Sequence, residues 1–348
     1  MARDHPTRYR QRRYSGRHSH HNRSGRRNAR DGRRDFQIPQ NNVSDLMFNR
    51  VAFIGIGLIG SSIARVMRRD NLASTIIACA RTDETLDAAK RLNIANETTK
   101  DIAEAVRDAD LVMICTPVST YGAIAEAMAP VLKPGAIVTD VGSVKESAVT
   151  AVMAHLPEGV HFVPGHPIAG TENSGPEAGF ETLFEGRWFL ITPPPGTDQT
   201  AIDKIAALWK QAGSQIDYLE PAHHDQVLAI TSHLPHLIAY TIVGTATDLE
   251  DHIKSEVVKY SASGFRDFTR IAASDPVMWR DIFIANRDAV LEMLGRLSED
   301  LAGLQRAIRV GDGEKLERLF RRTREIRRGV VEAGQHIPPS PDDTDPKS

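Results

Sequence analysis

The sequence lacks the features that mark several specialised protein classes. Its 348 residues include only two cysteines, Cys79 and Cys115. Each lies in an apolar run that predicts a strand, so we expect buried free thiols in a reducing cytoplasm rather than a disulfide. No uninterrupted apolar run reaches the roughly 18 residues of a membrane-spanning helix, and no apolar signal core opens the chain. We therefore expect a cytoplasmic protein that does not bind membranes.

Charge is unevenly distributed along the chain. The formal net charge is −2, yet residues 1–40 hold 12 arginines and 3 acidic residues, while the rest holds 31 basic and 42 acidic residues. An acidic globular part is a poor candidate for binding nucleic acid. Only the arginine-rich segment could bind RNA or another polyanion.

Residues 1–46 form that arginine-rich tail, which has almost no large aliphatic side chains. Such a segment cannot bury enough apolar area to offset the entropy cost of ordering, so we predict that it is disordered. Three interpretations stay open: a tail that binds RNA or anions, a targeting peptide, or a stretch upstream of a true start at Met47. A second disordered tail is predicted at residues 336–348, which are rich in proline and aspartate.

Between these tails the pattern predicts two domains. Residues 47–217 alternate apolar runs with helical segments, which predicts an α/β domain with a Rossmann-type, doubly wound, mostly parallel sheet. Residues 218–335 lose the strand signal, so we expect an all-helical second domain. Long helices are predicted at 276–309 and 312–334, and the first of them would serve both the core and a dimer interface.

A glycine-rich turn follows the first predicted strand and opens the first helix. Gly55, Gly57 and Gly60 permit a tight turn, close approach of the backbone to a pyrophosphate, and free N–H groups at a helix N-terminus. Because a strand and a helix flank the turn, we predict a dinucleotide site there. Leu58 and Ile59 complete the turn and are predicted to contact the cofactor.

The end of the second predicted strand bears on the choice between NAD and NADP. An Asp or Glu at this place would bind the ribose 2′-hydroxyl of NAD, but the chain has Ala80-Arg81-Thr82. Arg81 and Thr82 could instead hold a 2′-phosphate, which favours NADP. The alternative is that Arg81 is a solvated residue at a helix start and that Asp83 reaches the ribose.

Four later motifs carry polar side chains suited to catalysis and anion binding. A neutral imidazole is the natural base near pH 7, and a guanidinium can bind a carboxylate with two parallel hydrogen bonds. The motifs are Asp140-Val-Gly-Ser143-Val-Lys145, His166-Pro-Ile-Ala-Gly-Thr-Glu172, Ser232-His233-Leu-Pro-His236, and Asp267-Phe-Thr-Arg270-Ile-Ala followed by Trp279.

On these motifs, the glycine turn and Thr116-Pro117-Val118, residues 50–335 resemble the prephenate/arogenate dehydrogenases, also called cyclohexadienyl dehydrogenases. The resemblance implies a Rossmann domain joined to a helical domain that pairs in a homodimer. It implies oxidative decarboxylation of prephenate or arogenate with NAD or NADP, giving 4-hydroxyphenylpyruvate or tyrosine. Thr116, Pro117 and Val118 would contact the cofactor.

The resemblance also implies roles for the polar residues. His166 would be the base that takes the substrate's hydroxyl proton, and Ser143 would orient that hydroxyl. Arg270 would bind a substrate carboxylate, and the helical spacing would allow Asp267, one turn earlier, to hold Arg270 in place. The remaining residues of the substrate pocket would be Glu172, Ser232, His236, which the family links to tyrosine inhibition, and Trp279.

Other residues in these motifs have simpler interpretations. We expect His233 to be structural, and Lys145 either to interact with the cofactor or to cap its turn. His223 and His224 are read as residues at a helix start. The histidines could suggest a metal site, but no cysteine joins them and the resemblance gives a role without metal, so we expect none.

Two rival functions stay open on the sequence alone. One is another two-domain β-hydroxyacid or imine dehydrogenase, although such enzymes usually rely on a lysine in the helical domain. The other is a regulator that binds NAD(P) without catalysis, tethered to RNA by the arginine-rich tail. A base, a hydroxyl partner and an anion anchor in one chain argue against the regulator.

Overall fold

The structure is a computed structural model that describes residues 46–248, 259–260 and 262–332. The two predicted tails lie outside these residues, apart from Leu46. Strands and helices alternate from Phe48 to Tyr218, and helices alone follow from Pro221 in the described part of the chain.

Six strands form the main sheet, and every pairing between them is parallel. Their order in space is β3-β2-β1-β4-β5-β6. The winding direction reverses between β1 and β4, which opens a crevice at the carboxyl ends of these strands, where such folds bind ligands. The predicted doubly wound Rossmann-type sheet is confirmed. The strands are β1 (Phe48–Ile54), β2 (Ala73–Cys79), β3 (Glu97–Thr99), β4 (Leu111–Ile114), β5 (Ile137–Asp140) and β6 (His161–Val163).

Helices cover both faces of this sheet. Because β4 and β5 are buried at every position, they are continuous apolar runs rather than alternating ones. Trp209 and Met67 pack in the core on one face, and Tyr121 and Val152 pack on the other. The helices of this domain are α1 (Leu58–Arg69), α2 (Asp83–Arg91), α3 (Ile102–Val106), α4 (Tyr121–Met128), α5 (Glu146–Met153) and α6 (Gln199–Gln211).

A separate three-stranded sheet holds the histidine motif. It consists of β7 (Gly165–Pro167), β8 (Trp188–Ile191) and β9 (Gln215–Tyr218), with β7 antiparallel to β8 and β8 parallel to β9. Phe189 stacks on Trp209 with ring centroids 4.0 Å apart. A Cβ on Gly165 would lie 2.1 Å from the ring of Phe189, so only glycine fits immediately before His166.

The helical domain begins with one continuous helical run. Helix α7 (Pro221–Leu228) passes through a π-helical turn at Ala229–His233 into α8 (Leu234–Thr247). By length and composition, Pro221–Ala246 is apolar enough to cross a membrane. However, the buried side chains of His224 and Asp225 on this run bond to the α/β domain, so this part of the helix packs inside the protein.

The remaining helices are α9 (Ser263–Thr269), α10 (Pro276–Ala285), α11 (Arg287–Val310) and α12 (Gly313–Glu332). The single helix predicted over 276–309 is therefore wrong, because Asn286 separates two helices with φ −104° and ψ 34°. The Asn286 amide donates to the Asp225 carbonyl at 2.9 Å and contacts His233 Nδ1 at 3.0 Å. Its side chain thus serves a tertiary contact at the break, which helical spacing does not reveal.

Candidate active site

The glycine turn between β1 and α1 has the shape that a dinucleotide needs. Gly55 has φ +90°, and a Cβ there would lie 2.8 Å from Thr116 Cγ2. A Cβ on Gly60 would lie 2.8 Å from the Gly55 carbonyl, whereas one on Gly57 would meet no atom within 4 Å. Packing therefore requires glycine at positions 55 and 60. Gly57 leaves open space beside the backbone.

The N-terminus of α1 beside this turn is free to bind an anion. Gly57 is the N-cap residue, no side chain caps the helix, and its first turn has no acidic residue. Unsatisfied N–H groups and the positive end of the helix dipole favour a pyrophosphate at such a place. The half-buried Leu58 and Ile59 flank it. These residues fit a nicotinamide dinucleotide, as predicted.

The end of β2 lies beside the glycine turn, because the Gly55 N–H donates to the Cys79 carbonyl at 2.8 Å. Arg81 is exposed there. Thr82 caps α2 by accepting from the Thr85 N–H. The Asp83 carboxylate pairs with Lys100 Nζ at 2.7 Å, a contact that competes with any hydrogen bond from Asp83 to a ribose.

The turn after β4 connects the two domains. Thr116 bonds Thr120 side chain to side chain at 2.7 Å, which orders the segment that contains Pro117 and Val118. Ser119 in the same turn donates to the Asp281 carboxylate of α10 at 2.5 Å. This hydrogen bond lowers the pKa of Asp281. The predicted cofactor contacts therefore lie on a turn that is tied to the helical domain.

The loop after β5 contains a buried ion pair. Lys145 Nζ lies 2.5 Å from Asp140 Oδ2, with both side chains fully buried, and it also donates to the Gly165 carbonyl at 2.7 Å. Burial lowers the pKa of Lys145. Neither predicted role of Lys145, a cofactor contact or a turn cap, describes this arrangement. Its charge supports the backbone immediately before His166, while Ser143 of the same loop is half-buried.

His166 lies on β7 and is only 8% exposed. Burial, together with the neighbouring His224 and Lys145, holds the pKa of His166 well below the usual histidine value. The imidazole is therefore neutral at pH 7 and can accept a proton. This is the state that a general base requires.

The partner of His166 is a residue that we read from the sequence as part of a helix start. His166 Nδ1 lies 2.9 Å from His224 Nε2, and His224 Nδ1 lies 2.8 Å from Asp225 Oδ1. His224 is fully buried and burial lowers its pKa, whereas His223 is exposed. The sequence signal available for this contact was the adjacent His-Asp pair at the start of an otherwise apolar helix.

The Ser-His-Leu-Pro-His motif lies at the π-helical turn and the start of α8. His233 is fully buried, and burial lowers its pKa to about 4. His236 stacks on Trp279 with ring centroids 3.6 Å apart, and its Nδ1 lies 2.9 Å from the Ser232 carbonyl. Burial lowers the pKa of His236, and the charge of Arg270 lowers it further. The motif thus brings together Ser232, His236 and Trp279.

The predicted anion anchor contacts the segment that carries the base. Arg270 Nη1 lies 3.0 Å from Glu172 Oε2, and the two side chains are 55% and 38% exposed. Glu172 follows His166 by six residues. The carboxylate that pairs with Arg270 is therefore Glu172 from the other domain, and Asp267 is an exposed residue that makes no ion pair with Arg270. In this structure Glu172 therefore takes the place beside Arg270 that we expected for Asp267.

The histidines do not gather into a metal site. Among the residues that the structure describes, no group of three His, Cys, Asp or Glu side chains could hold a metal ion. The polar groups instead form hydrogen-bonded pairs between domains. The geometry supports binding of a dinucleotide and proton transfer at His166.

Two family models match the chain over both domains. One is described as "Prephenate dehydrogenase, nucleotide-binding domain" and matches residues 63–218. The other is described as "Prephenate dehydrogenase, dimerization domain" and matches residues 220–322. The first match begins inside α1, so the glycine turn before it is separate evidence for a dinucleotide site.

Individual relatives agree with these models. A cyclohexadienyl dehydrogenase from Zymomonas mobilis is 42% identical over 281 residues, which are 81% of this chain and 96% of that protein. A crystal structure of prephenate dehydrogenase from A. aeolicus with hydroxyphenyl propionate and NAD+ is 35% identical with a TM-score of 0.74, over 81% of this chain and 98% of that one. Synechocystis arogenate dehydrogenase is 29% identical with a TM-score of 0.66, over 80% and 99% of the two chains.

Proposed function

The chain belongs to the family of prephenate, arogenate and cyclohexadienyl dehydrogenases, and we propose that it oxidises and decarboxylates prephenate, arogenate or both on the way to tyrosine. As a member of this family it is an NAD(P)-dependent dehydrogenase. Membership removes the two rivals that the sequence left open, a β-hydroxyacid or imine dehydrogenase and a regulator without activity.

One observation carries the assignment of residues to this reaction. The segment from His166 to Glu172 holds a buried neutral imidazole at one end and touches Arg270 of the helical domain at the other. A proton acceptor and a cation for a carboxylate are the two groups that a hydroxylated, carboxylated ring requires. They come from different domains, so the substrate would bind between them.

The reaction follows from these groups. A nicotinamide cofactor held at the glycine turn would supply the oxidant, as the acceptor of a hydride from the carbinol carbon of the substrate. His166 takes the hydroxyl proton as that carbon becomes a carbonyl, and Ser143 orients the hydroxyl. Loss of the ring carboxylate as CO2 and uptake of a proton at the carbonyl oxygen leave an aromatic phenol. Arg270 binds a substrate carboxylate, for which it exchanges its contact with Glu172.

A product assay on two substrates with two cofactors tests this function. Prephenate and arogenate are each supplied with NAD and with NADP, and reduced cofactor, CO2 and the aromatic product are measured. At least one combination should give all three in equal amounts. Absence of turnover with every combination would reject the proposal.

The His166→Asn variant tests the assignment of the base. A general base contributes about 10²–10⁴-fold, so kcat should fall by about that factor while the substrate KM changes little. The same substitution at the exposed His223, His223→Asn, is the control and should keep wild-type kcat. Near-normal turnover of His166→Asn would show that another group takes the proton.

We also propose that NADP is the preferred cofactor. Arg81 and Thr82 lie where the adenosine ribose meets the end of the second strand in this fold. Asp83, which could otherwise bind the 2′-hydroxyl of NAD, is paired with Lys100. The guanidinium of Arg81 and the hydroxyl of Thr82 together favour a 2′-phosphate.

The helical domain would pair with that of a second copy. Large apolar side chains on α10, α11 and α12 are exposed in the single chain, including Ile284 (71%), Ile308 (67%) and Phe320 (56%). Large exposed apolar side chains in such number are typical of surfaces that pack against another protein. The family model that matches this domain is described as a dimerization domain, which supports a homodimer. Light scattering during size-exclusion chromatography would measure the mass of the protein in solution.

A further inference from the structure

We propose that His224 and Asp225 are positioning residues that fix the tautomer of His166. They place its proton on Nδ1, so that Nε2 is left as the proton acceptor. This rests on the proposed role of His166 as the base, and the experiment below separates the two. The proposal follows from a chain of two hydrogen bonds, Asp225 to His224 and His224 to His166, whose directions can be worked out in turn.

The first direction is set by the Asp225 carboxylate, which can only accept. Its Oδ1 accepts from the Lys145 N–H at 2.8 Å and its Oδ2 from the Glu146 N–H at 3.0 Å. The contact of 2.8 Å between Oδ1 and His224 Nδ1 therefore requires a proton on that nitrogen.

The second direction follows from the charge of His224. This side chain is fully buried and burial lowers its pKa, so it is neutral and carries one proton. With that proton on Nδ1, its Nε2 has only a lone pair. The contact of 2.9 Å to His166 Nδ1 then makes His166 the donor.

The remaining ring nitrogen of His166 is Nε2. A neutral His166 with its proton on Nδ1 has a lone pair on Nε2, which is the state that can take a proton from a hydroxyl group. Without an acceptor at Nδ1, the proton could move to Nε2 and present a donor to the substrate. In serine proteases, holding the wrong tautomer costs about 10⁴-fold in kcat.

The same carboxylate links this tautomer to the packing of the domains. His224 and Asp225 lie on α7, whereas His166 and the two N–H donors at the start of α5 belong to the nucleotide-binding domain. Asp225 therefore caps α5 and orients His224 with one group. The base acquires its acceptor only when the helical domain is docked.

Two variants of His224 separate an acceptor from a simple space-filling role. His224→Phe keeps a ring but removes both nitrogens, whereas His224→Gln keeps an amide oxygen for His166 and an N–H group for Asp225. We expect His224→Phe to lower kcat by about 10- to 10²-fold, a part of the whole effect of a base. KM and cofactor affinity should change less than about twofold, and His224→Gln should recover most of the loss. His223→Phe is the matched control on the exposed neighbour.

The tautomer itself can be observed without any variant of His224. In wild-type protein with 15N-labelled histidine, the His166 ring signals are assigned by their absence in His166→Asn. We expect a protonated Nδ1 and an unprotonated Nε2 at neutral pH. A proton on Nε2 would overturn the proposal, even if the His224→Phe protein proved unstable.

The remaining outcomes are equally decisive. Wild-type kcat in His224→Phe, or a His224→Gln variant no better than His224→Phe, would refute the acceptor role. Normal turnover of His166→Asn would instead refute the proposed function of His166, while the nitrogen spectrum still decides the tautomer. The two failures are therefore distinguishable.

Discussion

Replacing Lys145 by methionine should destabilise the nucleotide-binding domain by about 3–4 kcal/mol, within the range for removing one partner of a buried ion pair. Lys145 and Asp140 are both fully buried, with Nζ 2.5 Å from Oδ2. Methionine fills most of the space of the lysine stem but leaves the Asp140 carboxylate without a cation. The Gly165 carbonyl also loses its donor at 2.7 Å.

The expected loss of stability in Lys145→Met lies at the lower end of the range for a buried ion pair, because Asp140 keeps neutral donors. These are the Tyr121 hydroxyl at 3.0 Å, the Gly142 N–H at 2.8 Å and the Gly165 N–H at 3.2 Å. In the double variant with Asp140→Asn, the buried charge that Lys145→Met leaves without a cation is removed. We therefore expect the double variant to be at least about 2 kcal/mol more stable than the two single losses predict by addition.

Urea unfolding followed by tryptophan fluorescence and circular dichroism measures these differences, at one fixed protein concentration because the protein is proposed to be a dimer. Lys133→Met is the matched control. Lys133 pairs with Asp110 at 2.6 Å, but both side chains are partly exposed, so its loss should cost less than about 1 kcal/mol. A Lys145→Met variant within 1 kcal/mol of wild type, or strictly additive variants, would contradict the reasoning.

Three further predictions concern the substrate, the cofactor and acid stability. Arg270→Ala should raise the substrate KM by about 10- to 10²-fold, the value of a charge-assisted hydrogen bond, and steady-state kinetics that show unchanged KM would count against the anchor. Arg81→Ala should raise KM for NADP by about tenfold and leave KM for NAD nearly unchanged, so equal effects on both cofactors would reject the 2′-phosphate contact. Stability should fall as the pH drops below about 6.5, the ordinary pKa of histidine, because the unfolded chain then binds protons that the buried histidines do not. His233, with its pKa of about 4, should alone cost about 3 kcal/mol by pH 4, and urea titrations that show a flat profile from pH 7 to pH 4 would show that it is not buried and neutral.

Local patterns were sufficient for the α/β domain and the cofactor site. The first helix was predicted to begin at the glycine turn, and it begins there at Leu58, because the turn and helical spacing depend on neighbouring residues. The positive φ of Gly55 and the close contact at Gly60 likewise depend on residues that are neighbours in the sequence. They involve backbone geometry that only glycine satisfies, so the residue type alone indicates the turn.

Contacts between distant residues could not be predicted in this way. His166 and His224 are 58 residues apart, and Arg270 and Glu172 are 98 residues apart. Periodicity could not pair Lys145 with Asp140 rather than with a cofactor. Nor could it show that Asn286 would divide a helix for the sake of a bond to Asp225.

The sequence by itself thus determined the order of the elements, the fold class and the residue types available for the chemistry. Tertiary structure alone decided which of these residues meet, which imidazole is neutral and which carboxylate pairs with Arg270. The physical reason is that secondary structure depends on torsions and neighbours a few residues apart. Protonation and hydrogen-bond direction depend on burial and on partners that only folding brings together.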